Sequence, residues 1–313
     1  MDNPLLIIAG PTAAGKTELS LALALELGAE IVSADSMQVY RGMDIGTAKP
    51  TREERASVPH HMLDIVEPKA EFSVGEYLRL ADEAIADIRA RGKTPLVVGG
   101  TGLYIRALIH GIFEGPKADR GFRDGLLERE RSGGPGTLHR ELAENDPEAA
   151  ARIHPSDLRR IVRALEVYRA EGMPITAMQK EHRAGASVRP VRLACLSRER
   201  PDLYGRIDMR VDAMMEQGFL EEVRALRDAG CTRGMVSMQA LGYKQILAHL
   251  DGETTLDEAV KLIKRDTRRY AKRQFTWFRS EPGVVWVDLT GQVHPLDAMP
   301  VLKKALEIFP DMV

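Results

Sequence analysis

The sequence predicts an α/β protein with a P-loop parallel-sheet core, helices on both faces of the sheet, and an inserted all-helical domain. Three observations support this fold class. Short apolar runs recur along the chain, and each is followed by a longer helical pattern. A glycine-rich loop of the phosphate-binding type follows the first run. A long segment with helical patterns but no convincing strand separates the third run from the fourth.

Five short runs are expected to form strands because they are apolar and partly β-branched. They occupy residues 5–9, 31–34, 96–98, 191–196 and 284–287. Ligands of open parallel sheets bind beyond the carboxyl ends of the strands. The segments that follow the first three strands should therefore converge on one site.

The segment between the third and fourth strands has turns rich in Gly and Pro, at residues 132–136 and 145–147. We therefore expect a core made of residues 1–115 and 191–313, and an inserted helical domain at residues 116–190.

The composition is that of a soluble globular protein, with 44% hydrophobic and 29% charged residues and a net charge of −2. Two distant cysteines without ligand spacing disfavour a zinc site or a disulfide framework. The apolar run at residues 5–9 is too short for a signal peptide or a membrane span. We expect a cytoplasmic protein with no membrane association, and a monomer.

The loop after the first strand matches the pattern G-x-x-x-x-G-K-[ST] at every fixed position. Such a loop binds a di- or triphosphate, with a lysine that adds charge and a hydroxyl that can ligate Mg²⁺. The alternative is a turn with no chemical role. The residues are Gly10, Pro11, Thr12, Ala13, Ala14, Gly15, Lys16 and Thr17.

Asp35 is the first acid after the second strand, where a carboxylate could ligate Mg²⁺ or act as a general base. A turn cap is the alternative. The third strand ends in glycine, whereas many P-loop nucleotidases have a magnesium-binding Asp at such a position. Gly99, Gly100 and Gly102 could instead allow a ligand to approach, with Thr101 as a donor, or they could simply form a tight turn.

Basic residues cluster in three segments. Arg206 and Arg210 would share a helix face suited to a diphosphate, unless Asp208 and Asp212 pair with them. In residues 158–168, an apolar stripe lies beside three arginines. In residues 261–279, five cations follow helical spacing and suit a phosphate backbone, although a merely solvated basic face is the alternative.

Together these segments resemble the bacterial tRNA dimethylallyltransferases, also called tRNA isopentenyltransferases. The resemblance covers nearly the whole chain. The matching segments are GPTAAGKT at 10–17, SADSMQVY at 33–40, DIGTAKP at 44–50, VVGGTGLY at 97–104, QALGY at 239–243 and RQFTWFR at 273–279.

The resemblance implies transfer of a dimethylallyl group from dimethylallyl diphosphate to N6 of the adenosine 3′ to the anticodon, in tRNAs that read codons beginning with U. Mg²⁺ is the implied cofactor and the tRNA anticodon stem-loop the implied partner. The implied catalytic residues are Asp35, Thr17, Lys16 and Thr101. Diphosphate binding is implied for the P-loop, Arg206 and Arg210. The implied tRNA contacts are Asp35, Ser36, Met37, Gln38, Thr101, Arg123, Arg159, Arg160, Ile161, Val162, Arg163, Lys272 and Arg273.

Two other functions fit parts of the pattern. A P-loop core alone would serve an adenylate isopentenyltransferase or a small-molecule kinase, but a small acceptor would not require the insertion and the basic helix. A non-catalytic RNA-binding module would not require Asp35.

Overall fold

The computed structural model describes residues 3–113, 115–185 and 188–308. The chain forms two compact units, one made of Met1–Ile109 with Arg189–Val313 and the other of His110–Val188. Within the described ranges, no helix is both long and apolar enough to cross a membrane.

The first unit contains a parallel sheet in the order β3-β2-β4-β1-β5-β6. The strands are β1 (Leu5–Ala9), β2 (Glu30–Ala34), β3 (His60–His61), β4 (Pro95–Gly99), β5 (Val191–Ser197) and β6 (Val284–Asp288). The five predicted strands are confirmed within two residues. Strand β3 was not predicted, because two histidines at a sheet edge carry no apolar alternation.

The helices surround this sheet or build the second unit. Their bounds are α1 (Lys16–Leu27), α2 (Arg52–Ser57), α3 (Val74–Ala90), α4 (Gly102–His110), α5 (Arg120–Gly133), α6 (Thr137–Asn145), α7 (Pro147–Arg152), α8 (Leu158–Glu171), α9 (Ile175–Gly185), α10 (Arg200–Glu216), α11 (Phe219–Asp228), α12 (Tyr243–Leu250), α13 (Leu256–Arg279) and α14 (Met299–Ala305).

Both faces of the sheet are covered, as predicted. Alternate β1 residues point to opposite sides: Ile7 packs with α3 and α4, and Ile8 packs with α1 and α14. This alternation is the period-two pattern of a strand buried on both faces. The carboxyl edge of the sheet is left for the loops that follow β1, β2 and β4.

A separate hydrophobic cluster joins the chain after β2 to the helices α10 to α13. Phe219 and Tyr243 lie at its centre, with ring centroids 5.0 Å apart in an edge-to-face arrangement. The cluster places helix α13, which carries the predicted basic segment, in the same unit as the P-loop.

The second unit consists of helices around its own small core, which includes Leu126, Leu138 and Leu165. The described residues of this unit form no strand. Helix α8 turns its apolar stripe into this core.

Candidate active site

The P-loop connects β1 to α1, and two glycines allow its curvature. Gly10 and Gly15 have φ angles of 145° and 106°, and a Cβ on Gly10 would lie 2.8 Å from the Leu196 carbonyl oxygen. The Lys16 ammonium donates to the carbonyl oxygens of Gly10 and Pro11, at 2.9 and 2.8 Å. The lysine is thus held across the mouth of its own loop.

The electrostatics of the loop favour an anion. Burial, with the Arg210 charge nearby, lowers the pKa of Lys16 to about 8. Burial also lowers the pKa of Arg210. Asp35 interacts with both cations, but within the described residues neither has an acidic partner at ion-pair distance. Two partly buried cations with no ion-pair partner in these ranges, lying beside a P-loop, are suited to bind a diphosphate.

Arg206 and Arg210 both line this cleft, but they differ in their contacts. Arg206 donates to Asp202 at 3.0 Å and to the Gln292 carbonyl at 3.1 Å. In the described part of the chain, the Arg210 guanidinium has no hydrogen-bond or ion-pair partner, so its donors are available to a ligand. The alternative pairing of these arginines with Asp208 and Asp212 is not observed. Those acids pair with Arg268 and Lys264 of α13 instead.

Asp35 follows β2, and its two carboxylate oxygens have different surroundings. Oδ1 accepts from the backbone N–H of Met37 at 2.8 Å and of Gln38 at 3.4 Å. Among the described residues, Oδ2 has no hydrogen-bond partner. One carboxylate therefore both caps the turn and leaves an oxygen for a ligand, so the two interpretations of Asp35 are compatible.

The three residues after Asp35 line the cleft, and two of their side chains make hydrogen bonds within the protein. Ser36 Oγ accepts from Thr101 Oγ1 at 3.4 Å. The Gln38 amide accepts from Ser33 Oγ at 3.0 Å and donates to the carbonyls of Thr47 and Ala48, each at 3.2 Å. This amide is fully engaged, which argues against direct contact with a base. Ser36 and Met37 are half-buried beside it.

Thr101 lies beside Asp35 because β2 and β4 are neighbours. Its Oγ1 accepts from the Ser36 N–H at 3.0 Å. A Cβ on Gly99 would lie 2.2 Å from the Ala34 carbonyl oxygen, and one on Gly100 would lie 2.3 Å from Gln274 Nε2. Protein atoms fill these positions. These contacts support the tight-turn interpretation. Gly99 and Gly100 also line the cleft, so approach of a ligand to their backbone stays a prediction.

Helix α13 presents fewer free charges than its sequence indicates. Lys264 and Arg268 pair with acids of α10, and Arg265 and Arg269 pair with Asp266. Lys272 and Arg273 are exposed and have no acidic partner among the described residues. The Arg273 guanidinium lies 5.6 Å from the centre of the Tyr270 ring.

The cleft itself has a volume of about 680 Å³ and lies entirely within the first unit. Its polar end contains the P-loop and Asp35. Its apolar lining includes Met214, Phe219 and Ile263. Tyr270 and Gln274 of α13 also line it. The sequence marks Gln274 only as part of the matching segment 273–279, which gives the glutamine no role of its own. A phosphate site, a carboxylate and an apolar wall thus share one cavity.

The predicted tRNA-contacting residues of the second unit differ in exposure. Arg159 and Arg160 are exposed, whereas Ile161 and Val162 are buried in the core of the unit. Their side chains pack the helix, which argues against a tRNA contact.

Glu166 is the acid that engages the remaining two arginines. Arg123 binds it through two hydrogen bonds of 2.9 and 2.8 Å. Arg163 donates to it at 2.6 Å and to the Pro116 carbonyl at 2.9 Å.

The described residues contain no group of three or more His, Cys, Asp or Glu side chains that could hold a metal ion. The Thr17 hydroxyl has no hydrogen-bond partner among them. Mg²⁺ is commonly held by few protein ligands together with substrate phosphates and water. The residues at the P-loop fit an ion of that kind, but not a metal held by protein side chains alone.

Comparison with known proteins gives consistent results. A family model described as IPP transferase matches residues 38–281, and one described as isopentenyl transferase matches residues 3–65. The tRNA dimethylallyltransferase of Syntrophobacter fumaroxidans is 53% identical over 289 residues, which cover 92% of this chain and 84% of that protein.

Two solved structures are similar over most of the chain. The tRNA isopentenylpyrophosphate transferase of Bacillus halodurans is 44% identical with a TM-score of 0.71, and the match covers 98% of this chain and 97% of that one. A eukaryotic dimethylallyltransferase acting on tRNA is 30% identical with a TM-score of 0.82, and the match covers 97% of this chain and 78% of that one.

Proposed function

The chain belongs to the IPP transferase family, the tRNA dimethylallyltransferases, and we propose from this premise that it prenylates an adenosine of tRNA. The donor is dimethylallyl diphosphate. The acceptor is N6 of the adenosine 3′ to the anticodon, in tRNAs that read codons beginning with U. The observation that carries the proposal is the presence of the anion-binding P-loop and Asp35 in one cleft.

The reaction needs a base for the acceptor. An exocyclic aromatic amine is a weak nucleophile, so a carboxylate that takes its proton as the C–N bond forms lowers the barrier. Asp35 Oδ2 is suited to this role, because Oδ1 is anchored by backbone N–H groups while Oδ2 has no partner among the described residues.

The reaction also needs stabilisation of the leaving group. As the allylic C–O bond breaks, the departing diphosphate gains negative charge. Lys16 and Arg210 supply positive charge at the P-loop, and Thr101 holds the turn beside Asp35. Arg206 supports this end of the cleft through Asp202 and the Gln292 carbonyl.

Thr17 would hold Mg²⁺ at this site, together with oxygens of the diphosphate. When bound, the ion supplies further charge neutralisation for the leaving group. The glycine at the end of β4 is consistent with this arrangement, since no water has to be aimed at a γ-phosphate.

The acceptor base has to leave the anticodon loop to reach Asp35, at a cost of a few kcal/mol. Ser36 and Met37 are placed to contact the extruded base. We propose that Lys272, Arg273, Arg159 and Arg160 bind the RNA backbone, because they are exposed. For Arg123 and Arg163, a tRNA contact would compete with Glu166.

The proposal is tested with labelled dimethylallyl diphosphate and a synthetic anticodon stem-loop, followed by mass analysis of the nucleosides. We expect one added dimethylallyl group on the adenosine 3′ to the anticodon. A matched stem-loop with guanosine at that position should remain unlabelled. Label on another nucleotide, or equal label on both RNAs, would contradict the proposed acceptor.

A further inference from the structure

Gln274 is a buried polar residue of α13 that bridges two loops of the cleft. Its Oε1 accepts from the Thr12 N–H of the P-loop at 3.0 Å. Its Nε2 donates to the Gly100 carbonyl at 2.9 Å. The residue is only 6% exposed, which limits competition from water for these bonds. One side chain therefore joins the diphosphate end of the cleft to the turn that carries Thr101.

The surrounding backbone is shaped to admit this amide. A Cβ on Gly100 would lie 2.3 Å from Gln274 Nε2. Any side chain at Gly100 would therefore displace the amide from the carbonyl to which it donates. The absence of a side chain at Gly100 thus makes room for the bridge.

Only a group with one acceptor and one donor satisfies both partners. The Thr12 N–H requires an acceptor and the Gly100 carbonyl requires a donor. A carboxylate would leave the carbonyl facing a second acceptor, and a methionine would leave both backbone groups unpaired. A neutral carboxylic acid, in contrast, reproduces the pattern of the amide.

We propose that Gln274 is a positioning residue, which sets the P-loop against the Thr101 turn and so fixes the distance between donor diphosphate and acceptor base. This inference rests on the proposed transfer reaction. Gln274 does not touch the reacting atoms; it acts through Thr12 and through the backbone that precedes Thr101. Tyr270, one turn earlier on α13, also lines the cleft and lies beside Thr101. The same helix therefore contacts both the P-loop and the Thr101 turn.

The test compares Gln274→Met and Gln274→Glu with the unaltered protein in the transfer assay, with folding monitored by circular dichroism and thermal unfolding. For Gln274→Met we expect KM for dimethylallyl diphosphate to rise about tenfold, the effect of losing the hydrogen bond that orients the Thr12 N–H of the P-loop. KM for the RNA should stay unchanged. A loss of folded protein would lower the apparent kcat and leave both KM values as they were.

The pH profile provides the second readout. The activity of Gln274→Glu relative to the unaltered protein should be lowest at about pH 8, where the introduced carboxyl is ionised. As pH falls and this carboxyl becomes protonated, the relative activity should rise about tenfold per pH unit. Gln274→Met adds no titrating group, so its relative activity should stay flat with pH.

Three results would overturn the proposal: unaltered KM values in Gln274→Met, a flat profile for Gln274→Glu, or the same profile in both variants. Absence of transfer by the unaltered protein would instead contradict the proposed function.

Discussion

At the scale of single residues, the site depends on how each polar atom is already engaged. Asp35 offers one oxygen to the turn, and its other oxygen has no partner in the described ranges, whereas the Gln38 amide is engaged on both sides. The sequence predicted Asp35 as a catalytic residue and both residues as tRNA contacts. The hydrogen bonds separate a candidate base from a structural residue.

Replacing Asp35 by Asn tests the base directly. The amide oxygen of Asn can still accept from Met37 and Gln38, so the turn should persist while proton acceptance is lost. We expect transfer to fall about a hundredfold or more, with RNA affinity unchanged. Asp35→Ala serves as the comparison, because it also removes the turn bonds and should lower the melting temperature as well. Transfer at the original rate in Asp35→Asn would exclude Asp35 as the base.

Lys16 provides a pH-dependent test. Its pKa is lowered to about 8 in the free protein, so its charge is present below that pH and lost as pH rises through it. A bound diphosphate favours the charged form, and binding should therefore weaken above about pH 8, where the organic diphosphate itself is already fully ionised. Calorimetric titration of the diphosphate across this range measures the effect. An affinity that does not change between about pH 7 and pH 9 would contradict it.

How far the sequence predicts the site can be judged from these residues. The P-loop and Asp35 were found because a spacing pattern and a position after a strand carry information without the fold. The bridging role proposed for Gln274 was not predicted from the sequence. The backbone groups that this glutamine contacts are distant in the chain and are identified only when the helix is docked. The alternative that Asp208 and Asp212 pair with the arginines beside them in sequence is not observed among the described residues. Their partners Arg268 and Lys264 lie more than 50 positions away.

At the scale of elements, the loop between β2 and α2 is held by one carboxylate. Glu222 of α11 accepts from the N–H groups of Asp44, Ile45 and Gly46, at 2.9, 2.7 and 3.2 Å, and from the Tyr243 hydroxyl at 2.6 Å. The same loop supplies the carbonyls that bind Gln38 and lines the cleft. The helices therefore shape the wall of the active site through Glu222.

Glu222→Gln should loosen this loop, because its amide nitrogen cannot accept from a backbone N–H. We expect kcat/KM to fall about tenfold and the free energy of unfolding to fall by about 2 kcal/mol. The adjacent Glu221→Gln is the matched control, since Glu221 is exposed and forms a single ion pair within the described residues, with Arg224 at 3.6 Å. Equal effects of the two substitutions would show that the loop does not depend on Glu222.

The opposite end of β2 carries an ion pair that the sequence did not indicate. Arg91 binds Glu30 through two hydrogen bonds, and His61 of β3 binds it at 2.7 Å. The hydrogen bonds from Arg91 are the main reason that the pKa of Glu30 is lowered to about 2. This contact attaches the short strand β3 and helix α3 to the sheet.

The sign of the resulting pH dependence follows from this lowered pKa. The contribution of Glu30 to stability is fully present above the ordinary glutamate pKa and is lost as pH falls toward about 2. Glu30→Gln should therefore lower the free energy of unfolding by about 2 kcal/mol at neutral pH and by progressively less in acid. Denaturant unfolding at several pH values measures this. A difference between the two proteins that is independent of pH would contradict it.

At the scale of the whole molecule, the fold class was predictable because β1 to β6, apart from β3, are coded by local apolar runs. The number of cations on α13 that remain unpaired was not predictable. Its sequence contains many cations, but pairing with Asp266 and with acids of α10 engages four of them. The exposed cations of this helix with no acidic partner at ion-pair distance among the described residues are Lys261, Lys272, Arg273 and Arg279. RNA binding by this helix should therefore depend on few residues.

This dependence is testable through salt. Lys272→Ala should weaken stem-loop binding and reduce the slope of log affinity against log salt by about one, because one phosphate contact is lost. Lys304→Ala is the matched control: Lys304 is also exposed but lies on α14, and it should leave the slope unchanged. Equal slopes in the two variants would show that this face of α13 does not contact RNA.

The central claim is that one cleft joins a prenyl diphosphate to an adenosine of tRNA, and the most direct test is a competition between acceptors. Labelled dimethylallyl diphosphate is offered to the protein with equal concentrations of anticodon stem-loop and AMP, and with ATP as a possible phosphate donor. We expect the label in the stem-loop, at a kcat/KM far above that for AMP, and no phosphate transfer. Preferential labelling of AMP, or transfer of phosphate from ATP, would contradict the account.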